Sequence, residues 1–505
     1  MADRLPEYDE WDGLDMAARV ASGDVSALDL VEAAIERIEA YNPQLNAVVH
    51  RQYERARQHA RGQSHQSPFA GVPFLLKDLL GEDAGQPSTC SNAALAQWRA
   101  AHDSELVRRF KDAGLNIVGR TNTPELGIYG VTESKFRGPA YNPWHLEHSP
   151  GGSSGGAGAA VGARIVPIAH GGDGGGSIRI PASHNGVFGL KPTRGRLPAG
   201  PDRGERWHGF VCEGVLTRSV RDTAACLDAI AGPDVGAPYF AMPPEQPYLL
   251  SMNTPPRPLK IALTEDALFG HDTHADNLAA VRHTGKLLES LGHTVDYARP
   301  QFDRDKLVKA YLVVVSAGVS MGLMQIEDKI GRTLKASEAE LPTWAMKLIA
   351  DSINAGEYMY YVNTIQREAR RVAAFFEDWD MLLTPTAAAP PARVGQFALT
   401  AAQKTQVKVL RRLPIKKVLE FALDQMAKDA LDATPNTMLF NQTGQPAMSV
   451  PLYWNDDDLP IGTQLVGRYG DETTLLQVAR QLEEAQPWNT RRPGLIDRTT
   501  GSAYE

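Results

Sequence analysis

Residues 150–196 read PGGSSGGAGAAVGARIVPIAHGGDGGGSIRIPASHNGVFGLKPTRGR. Two glycine-serine loops lie in this stretch, Gly151-Gly152-Ser153-Ser154-Gly155-Gly156 and Gly174-Gly175-Gly176-Ser177, and their serines 153 and 177 are 24 residues apart. Glycine lets a ligand or another chain approach the backbone closely, at an entropic cost on folding, so glycines this dense indicate a site. Free backbone N–H groups ending on a serine suit acyl transfer: the hydroxyl attacks and the N–H groups hold the oxyanion. A P-loop does not fit, because no Lys-Ser or Lys-Thr pair closes either loop. A disordered linker does not fit either, because apolar runs at Ala159-Ala160-Val161 and Ile165-Val166-Pro167-Ile168 interrupt the stretch.

An attacking serine needs a base. His170 and His184 each stand seven residues from Ser177, outside any G-x-S-x-G elbow, and read as structural hydrogen-bonders. Upstream, Gly71-Val72-Pro73-Phe74-Leu75-Leu76-Lys77-Asp78 is a short apolar strand that stops at a lysine. Burial there would push Lys77 toward the neutral amine, which accepts a proton. The alternative is a solvated lysine that begins a loop beside Asp78.

These residues together resemble the amidase signature family, whose members use a Ser-cisSer-Lys triad. The strand ending at Lys77 matches the family's lysine strand, and Gly119-Arg120-Thr121-Asn122-Thr123-Pro124-Glu125 matches its G-[KR]-T-N-x-x-E block. Gly189 to Arg196 follows the serine loop as in the family, and Phe440 to Ala447 and Pro460 to Gly467 match the C-terminal blocks. The pattern is nearest a bacterial branch that contains 6-aminohexanoate cyclic-dimer hydrolases. That branch also has a histidine at position 170, the PASxxGVxGLKPTRGR run and an end like Trp488-Asn489-Thr490-Arg491-Arg492-Pro493.

The resemblance implies Ser177 as nucleophile, Ser153 as bridging serine on a cis peptide bond, and Lys77 as base. It implies an oxyanion hole from the N–H groups of Gly174, Gly175, Gly176 and Ser177. Ser154 would hydrogen-bond within its loop, and Asp173 and Arg179 would be scaffold. Tyr129 and Gly130, by the same analogy, would line the substrate pocket. The chain departs from the family at Gly172 and Gly174, where side chains are usual, so the loop has fewer groups of its own to lock it.

The implied fold is α/β: a single large domain with a central mixed, twisted β-sheet covered by helices on both faces. The 505 residues would by length alone suggest several domains, but blocks from Lys77 to Gln464 must meet in one core. The catalytic core would span about 70–200 with C-terminal blocks at about 435–470, and 300–430 would form the substrate pocket and a lid. Local patterns agree with alternating helices and strands. Ser26 and Asp29 form a capping box for a helix through Tyr41, and Ser104–Ala113 and Ala275–Leu291 read as helices. Asn46–Val49, Asn116–Val118, Lys260–Leu263 and Thr294–Tyr297 read as strands, and Pro243–Pro258 as a surface connection. In the pocket region, Tyr311–Gln325 reads as an apolar helix with Ser316, Ser320 and Met324 on one face. The basic run Lys404, Lys408, Arg411, Arg412, Lys416 and Lys417 is a solvated helix face or a mobile lid.

A net charge of −8 favours neither nucleic acid nor anionic membranes. Three cysteines with no C-x-x-C fit a reducing cytoplasm, and no zinc spacing is present. The polar N-terminus has no secretory core, and no apolar run approaches a bilayer's width. The expectation is therefore a cytoplasmic amidohydrolase, monomer or homodimer, acting on a small-molecule amide without metal or organic cofactor. Carbamate or ester hydrolysis by the same triad, a subunit of a tRNA-dependent amidotransferase, and a catalytically impaired binding protein are the competing readings.

Overall fold

The computed structural model describes residues 5–62, 66–270, 272–412, 419 and 433–495. Its strands are β1 (Val48–Arg51), β2 (Pro73–Lys77), β3 (Asn116–Thr121), β4 (Glu133–Ser134), β5 (Gly138–Pro139), β6 (Ile168–Asp173) and β7 (Phe188–Lys191). They continue as β8 (Cys212–Thr217), β9 (Lys260–Leu263), β10 (Thr294–Tyr297), β11 (Met381–Pro385), β12 (Ala447–Trp454) and β13 (Pro460–Gly467). Eleven of them form one sheet in the order β1-β3-β2-β6-β8-β7-β12-β13-β11-β9-β10, and β4 pairs with β5. The sheet is mixed: β2 runs parallel to β3 and β6, and β9 to β10 and β11, while the centre is antiparallel. The expected α/β class and single central sheet are what the chain adopts.

Burial explains the central strands. All residues of β2, β3, β6, β11 and β13 are buried, as central strands covered by helices on both faces are. One apolar cluster joins helix Ala27–Leu45 to Phe74, Phe110, Ile168 and Leu216. Another joins helices Ala275–Ser290 and Glu472–Ala485 to β7, β12 and β13.

Local signals held, with shifts at element ends. Ser26 and Asp29 make the expected capping box, but the helix continues past Tyr41 to Leu45. It tolerates Pro43 near its last turn and stops at Asn46, which is left-handed at φ 45° and donates through Nδ2 to the carbonyls of Arg137 and Pro139. That extension moves the first strand from the expected Asn46–Val49 to Val48–Arg51. The connection 243–258 contains a short helix, Tyr248–Ser251. Helix Arg304–Ile330 corrects one expectation: it is long and apolar enough to cross a bilayer, although the sequence had suggested no such run. In the fold it packs against helices Leu341–Asp351 and Ala355–Asp378 as a core helix.

The topology fixes where the site must lie. The parallel neighbours β2 and β6 end at Lys77 and Asp173, so both strands deliver their last residues to the same edge of the sheet. Open sheets bind ligands outside such carboxyl ends.

Candidate active site

Lys77 is fully buried, which removes the solvated alternative, and Asp78 turns away to accept from the Thr89 N–H at 2.8 Å. The Lys77 Nζ lies 2.7 Å from Ser153 Oγ, 2.9 Å from Ser154 Oγ and 3.3 Å from the Gly172 carbonyl oxygen. The Gly152–Ser153 peptide is cis. Burial brings the Lys77 ammonium down to about 7; the Asp173 and Glu213 carboxylates oppose this and Arg206 adds to it. A neutral amine fits these partners. It accepts from the Ser153 hydroxyl through its lone pair and donates to Ser154 Oγ and the Gly172 carbonyl. Arg120, from the G-R-T-N block, braces this strand end by donating to the carbonyls of Lys77 and Gly81 at 3.0 and 2.8 Å.

Ser177 lines a small cavity of about 50 Å³ together with Lys77, Ser153, Gly172 and Gly174. It is partly exposed in a stretch that is otherwise almost wholly buried, and among the described residues its hydroxyl has no hydrogen-bond partner. The loop around it is locked from outside. Asp173 Oδ1 accepts from the Gly176 N–H at 2.8 Å and Oδ2 from the Ile178 N–H at 3.1 Å. Gly176 is therefore not a free donor, unlike the arrangement expected from sequence. The N–H groups of Gly174, Gly175 and Ser177 have no protein acceptor among the described residues. Gly176 also has φ +129°, which favours glycine.

Asp173 is held by Arg179 through two bonds, Nε to Oδ2 at 2.9 Å and Nη2 to Oδ1 at 2.8 Å, with both residues fully buried. That guanidinium keeps the Asp173 carboxyl well below the usual carboxylate range against the opposing effect of burial. The C-terminal blocks close the network: Arg179 donates to the Thr437 carbonyl and to Gln464 Oε1 and Asn441 Oδ1, and Asn441 Nδ2 donates to Asp173. Thr437 Oγ1 donates to the Gly175 carbonyl at 2.6 Å.

Sequence reasoning missed the residues that fill the space around the glycines. A Cβ on Gly174 would lie 2.8 Å from the Trp207 ring, and one on Gly175 would lie 2.2 Å from the Tyr311 hydroxyl. The departure at position 174 thus makes room for Trp207. The structure offers no comparable reason for Gly172, where the nearest atom, in Leu80, is at 3.4 Å. Leu80, Leu126 and Trp207 all line this cavity with left-handed backbone, at φ 65°, 52° and 46°. Non-glycine residues held in that region mark a place where the surroundings over-determine the chain.

Neither histidine hydrogen-bonds Ser177. His170 Nδ1 accepts from the Lys77 N–H at 3.3 Å, so its proton resides on Nε2, 3.1 Å from Glu213 Oε1. His184 is buried with neither ring nitrogen hydrogen-bonded, and burial lowers it to about 4, so it stays neutral near pH 7. Tyr129 does not line the Ser177 cavity. Its carbonyl packs on Gly152, and the residue lines a separate cavity of about 570 Å³ with Glu133, Lys135, Glu340, Lys404 and Lys408; Gly130 is exposed nearby. Arg411 and Arg412 end helix Ala401–Arg412, and Lys416 and Lys417 lie outside the described residues.

Helix Arg304–Ile330 does face the site, but with a different face. Ser316 is buried, Ser320 contacts Asp351 at 3.4 Å and Met324 is exposed. The pocket side carries Tyr311, Gly318, Gly322, Gln325 and Ile326. Glycines 318 and 322, four apart, let Trp207 and Leu126 pack against the helix, and they were the signal available in the sequence. A Cβ on Gly318 would lie 2.1 Å from Trp207. Gly318→Ala should therefore displace the indole, lowering stability by about 1–3 kcal/mol and kcat/KM by at least about tenfold. Thermal unfolding and steady-state kinetics check this; an unchanged kcat/KM would remove Trp207 from the working wall of the site.

The Amidase family model matches residues 29–476. The chain belongs to the amidase family, the amidase signature enzymes. It is 37% identical over 501 residues to the 6-aminohexanoate-cyclic-dimer hydrolase of Pseudomonas sp. (strain NK87), covering 98% of each chain. The solved 6-aminohexanoate cyclic dimer hydrolase complexed with substrate superposes with a TM-score of 0.89 at 36% identity, covering 97% of this chain and 100% of the other. A bacterial aryl acylamidase superposes with a TM-score of 0.84 at 25% identity, covering 98% and 99%. This amidase is an enzyme that hydrolyses carbon–nitrogen amide bonds.

Proposed function

We propose that the chain is a serine amidohydrolase in which Ser177 forms an acyl-enzyme, Ser153 relays the proton and Lys77 is the base. The observation that carries this reading is the 2.7 Å contact between Lys77 Nζ and Ser153 Oγ, in the same cavity as the unpartnered Ser177 hydroxyl. Ser177 Oγ attacks the carbonyl carbon, its proton passes to Ser153 Oγ, and the Ser153 proton passes to Lys77 Nζ. The tetrahedral oxyanion is held by the N–H groups of Gly174, Gly175 and Ser177, while Gly176 stays on Asp173. The amine leaves as it receives the proton back through Ser153. Water then attacks the acyl group along the reverse route, giving the carboxylic acid and free Ser177.

The substrates are small-molecule amides of the aryl, linear or cyclic oligoamide kind, in keeping with the relatives named above. The free thiols Cys90, Cys212 and Cys226 support work in a reducing cytoplasm, and the relatives point to a bacterial enzyme. The chain acts as a monomer or homodimer, without nucleic acid or membrane.

The experiment is to incubate the purified chain, without partners, with 4-nitroanilides and with a fluorophosphonate. Expected results are release of 4-nitroaniline that EDTA does not slow, since nucleophile, base and oxyanion donors are all protein groups, and one adduct on the peptide containing Ser177. An adduct on another serine, or hydrolysis that dies in EDTA and returns with zinc, overturns the assignment.

A further inference from the structure

The cavity around Ser177, about 50 Å³, has room for a reacting carbonyl and little more, so the rest of a substrate must extend elsewhere. A second cavity of about 280 Å³ adjoins it, and Leu80, Leu126, Arg206 and Trp207 stand in the walls of both. One part of its wall is apolar, built from Leu80, Leu95, Leu126, Val319 and Ile326. Three cations line it, Arg203, Arg206 and Lys329, beside three carboxylates, Glu82, Asp202 and Glu205.

Arg206 is the unusual one. Among the described residues its guanidinium makes no hydrogen bond and no ion pair. The carboxylates near it are engaged elsewhere, Asp202 by His102 at 3.1 Å. Glu82 is gripped by both Nη atoms of Arg203 at 3.1 and 3.0 Å, and Glu213 faces His170 at 3.1 Å. Glu205 takes the Tyr239 hydroxyl and lies 3.6 Å from His208. Lys329 sits 4.0 Å over the Trp98 ring, with no carboxylate in ion-pair range among the described residues. Burial, then the neighbouring Arg203, pulls the Arg206 guanidinium down to about 10, which registers how poorly its charge is compensated. Arg206 is partly exposed at the cavity, so its unpaired guanidinium is open to an entering anion.

We propose that this cavity binds the terminal carboxylate of the substrate through Arg206, with Lys329 adding positive charge, so that the preferred substrates are amides carrying a short aliphatic chain that ends in a carboxylate. The apolar part of the wall takes the methylenes and the guanidinium fork takes the two oxygens. The proposal rests on the reading in which Ser177 is the nucleophile, because it puts the anion in the cavity next to that residue. It separates open-chain, acid-ended amides from neutral ones, which the shared chemistry of the triad does not.

The test uses two matched pairs on the full chain. On the acyl side, the 4-nitroanilide of adipic acid is compared with that of hexanoic acid. On the amine side, N-acetyl-6-aminohexanoate is compared with N-hexylacetamide. The expected result is a preference of at least about 30-fold in kcat/KM for the acid in one pair, collapsing toward unity in Arg206→Gln and partly kept in Arg206→Lys. Binding is read separately by thermal shift with hexanoate and hexanol on the wild-type chain. Hexanoate should raise the melting temperature, hexanol should not, and Arg206→Gln should abolish the shift. Equal rates within both pairs, or a preference that survives Arg206→Gln, overturn the proposal while amide hydrolysis stands. An Arg206-dependent hexanoate shift in a chain that cleaves none of the four amides supports the carboxylate site and overturns the hydrolase reading instead. Should Arg206→Gln fail to fold, the wild-type pairs and Arg206→Lys still decide: no wild-type preference, or a full preference in Arg206→Lys equal to wild type with no hexanoate shift, overturns it.

Discussion

Lys77→Ala should lower kcat by four to six powers of ten, on the order of what removing one member of a hydrolase triad costs. Ser177→Ala should cost as much, and the double variant little more, because the two groups serve one proton path. In the wild type, kcat/KM should rise with pH through about 7 and then level, since burial brings Lys77 to about 7 and the neutral amine is the competent form. The same shift has a signature in stability. The folded chain binds fewer protons at Lys77 than the unfolded chain between about pH 7 and a lysine's ordinary 10.5, so this residue's contribution to stability grows as pH rises across that window and disappears below it. Lys77→Ala should flatten both profiles. His170→Ala should stay within about tenfold of wild type, because His170 meets Lys77 only at its main-chain N–H and otherwise faces Glu213, away from the Ser177 hydroxyl. His184→Ala should do the same, because its ring has no hydrogen-bond partner with which to move a proton. If Lys77→Ala keeps near-wild-type rates while one histidine variant is dead, the base is a histidine and the serine-serine-lysine path is wrong. Circular dichroism on each variant separates lost chemistry from lost folding.

What could be read in the sequence is what lies close along the chain. Ser26 and Asp29 announce a helix start, and an apolar run that stops at Lys77 announces a strand delivering a lysine. Glycines packed around Ser153 and Ser177 announce close backbone approach. The residues that give these features their setting come from distant segments, where no spacing rule applies. Tyr311 reaches Gly175 across 136 positions, and Thr437 reaches it across 262. Trp207 could not be placed because its left-handed turn depends on what it packs against, Gly174 on one side and Gly318 on the other. Helix Arg304–Ile330 misled for a related reason. It is apolar on most sides, so periodicity did not show which face meets the site, and the polar and sulfur side chains drew attention to the wrong one. The small residues at 318 and 322 were the better guide, since a helix that lets an indole approach must offer an empty position.

The buried pair Asp173–Arg179 should be the most sensitive point of the scaffold. Asp173→Leu or Arg179→Met leaves the partner's charge uncompensated at a site with no solvent exposure, and each should cost about 3–5 kcal/mol. That is a large part of the roughly 5–15 kcal/mol that holds a typical domain together. Activity should fall further than stability, because Asp173 is also the acceptor that sets the Gly176 and Ile178 N–H groups and thereby aims the loop carrying Ser177. The double variant Asp173→Leu/Arg179→Met separates the two roles. With both charges gone the desolvation penalty vanishes, so its loss of stability should be smaller than the sum of the single losses by at least about 2 kcal/mol. Recovery stays partial, since the Thr437 carbonyl, Asn441 Oδ1 and Gln464 Oε1 lose their donor. Turnover should not return, because no apolar side chain can accept from the loop. Urea unfolding and kcat on the four chains make the comparison. Additive stability losses would mean that the pair is not coupled as drawn, and a double variant that regains turnover would show that the serine loop holds its shape without Asp173.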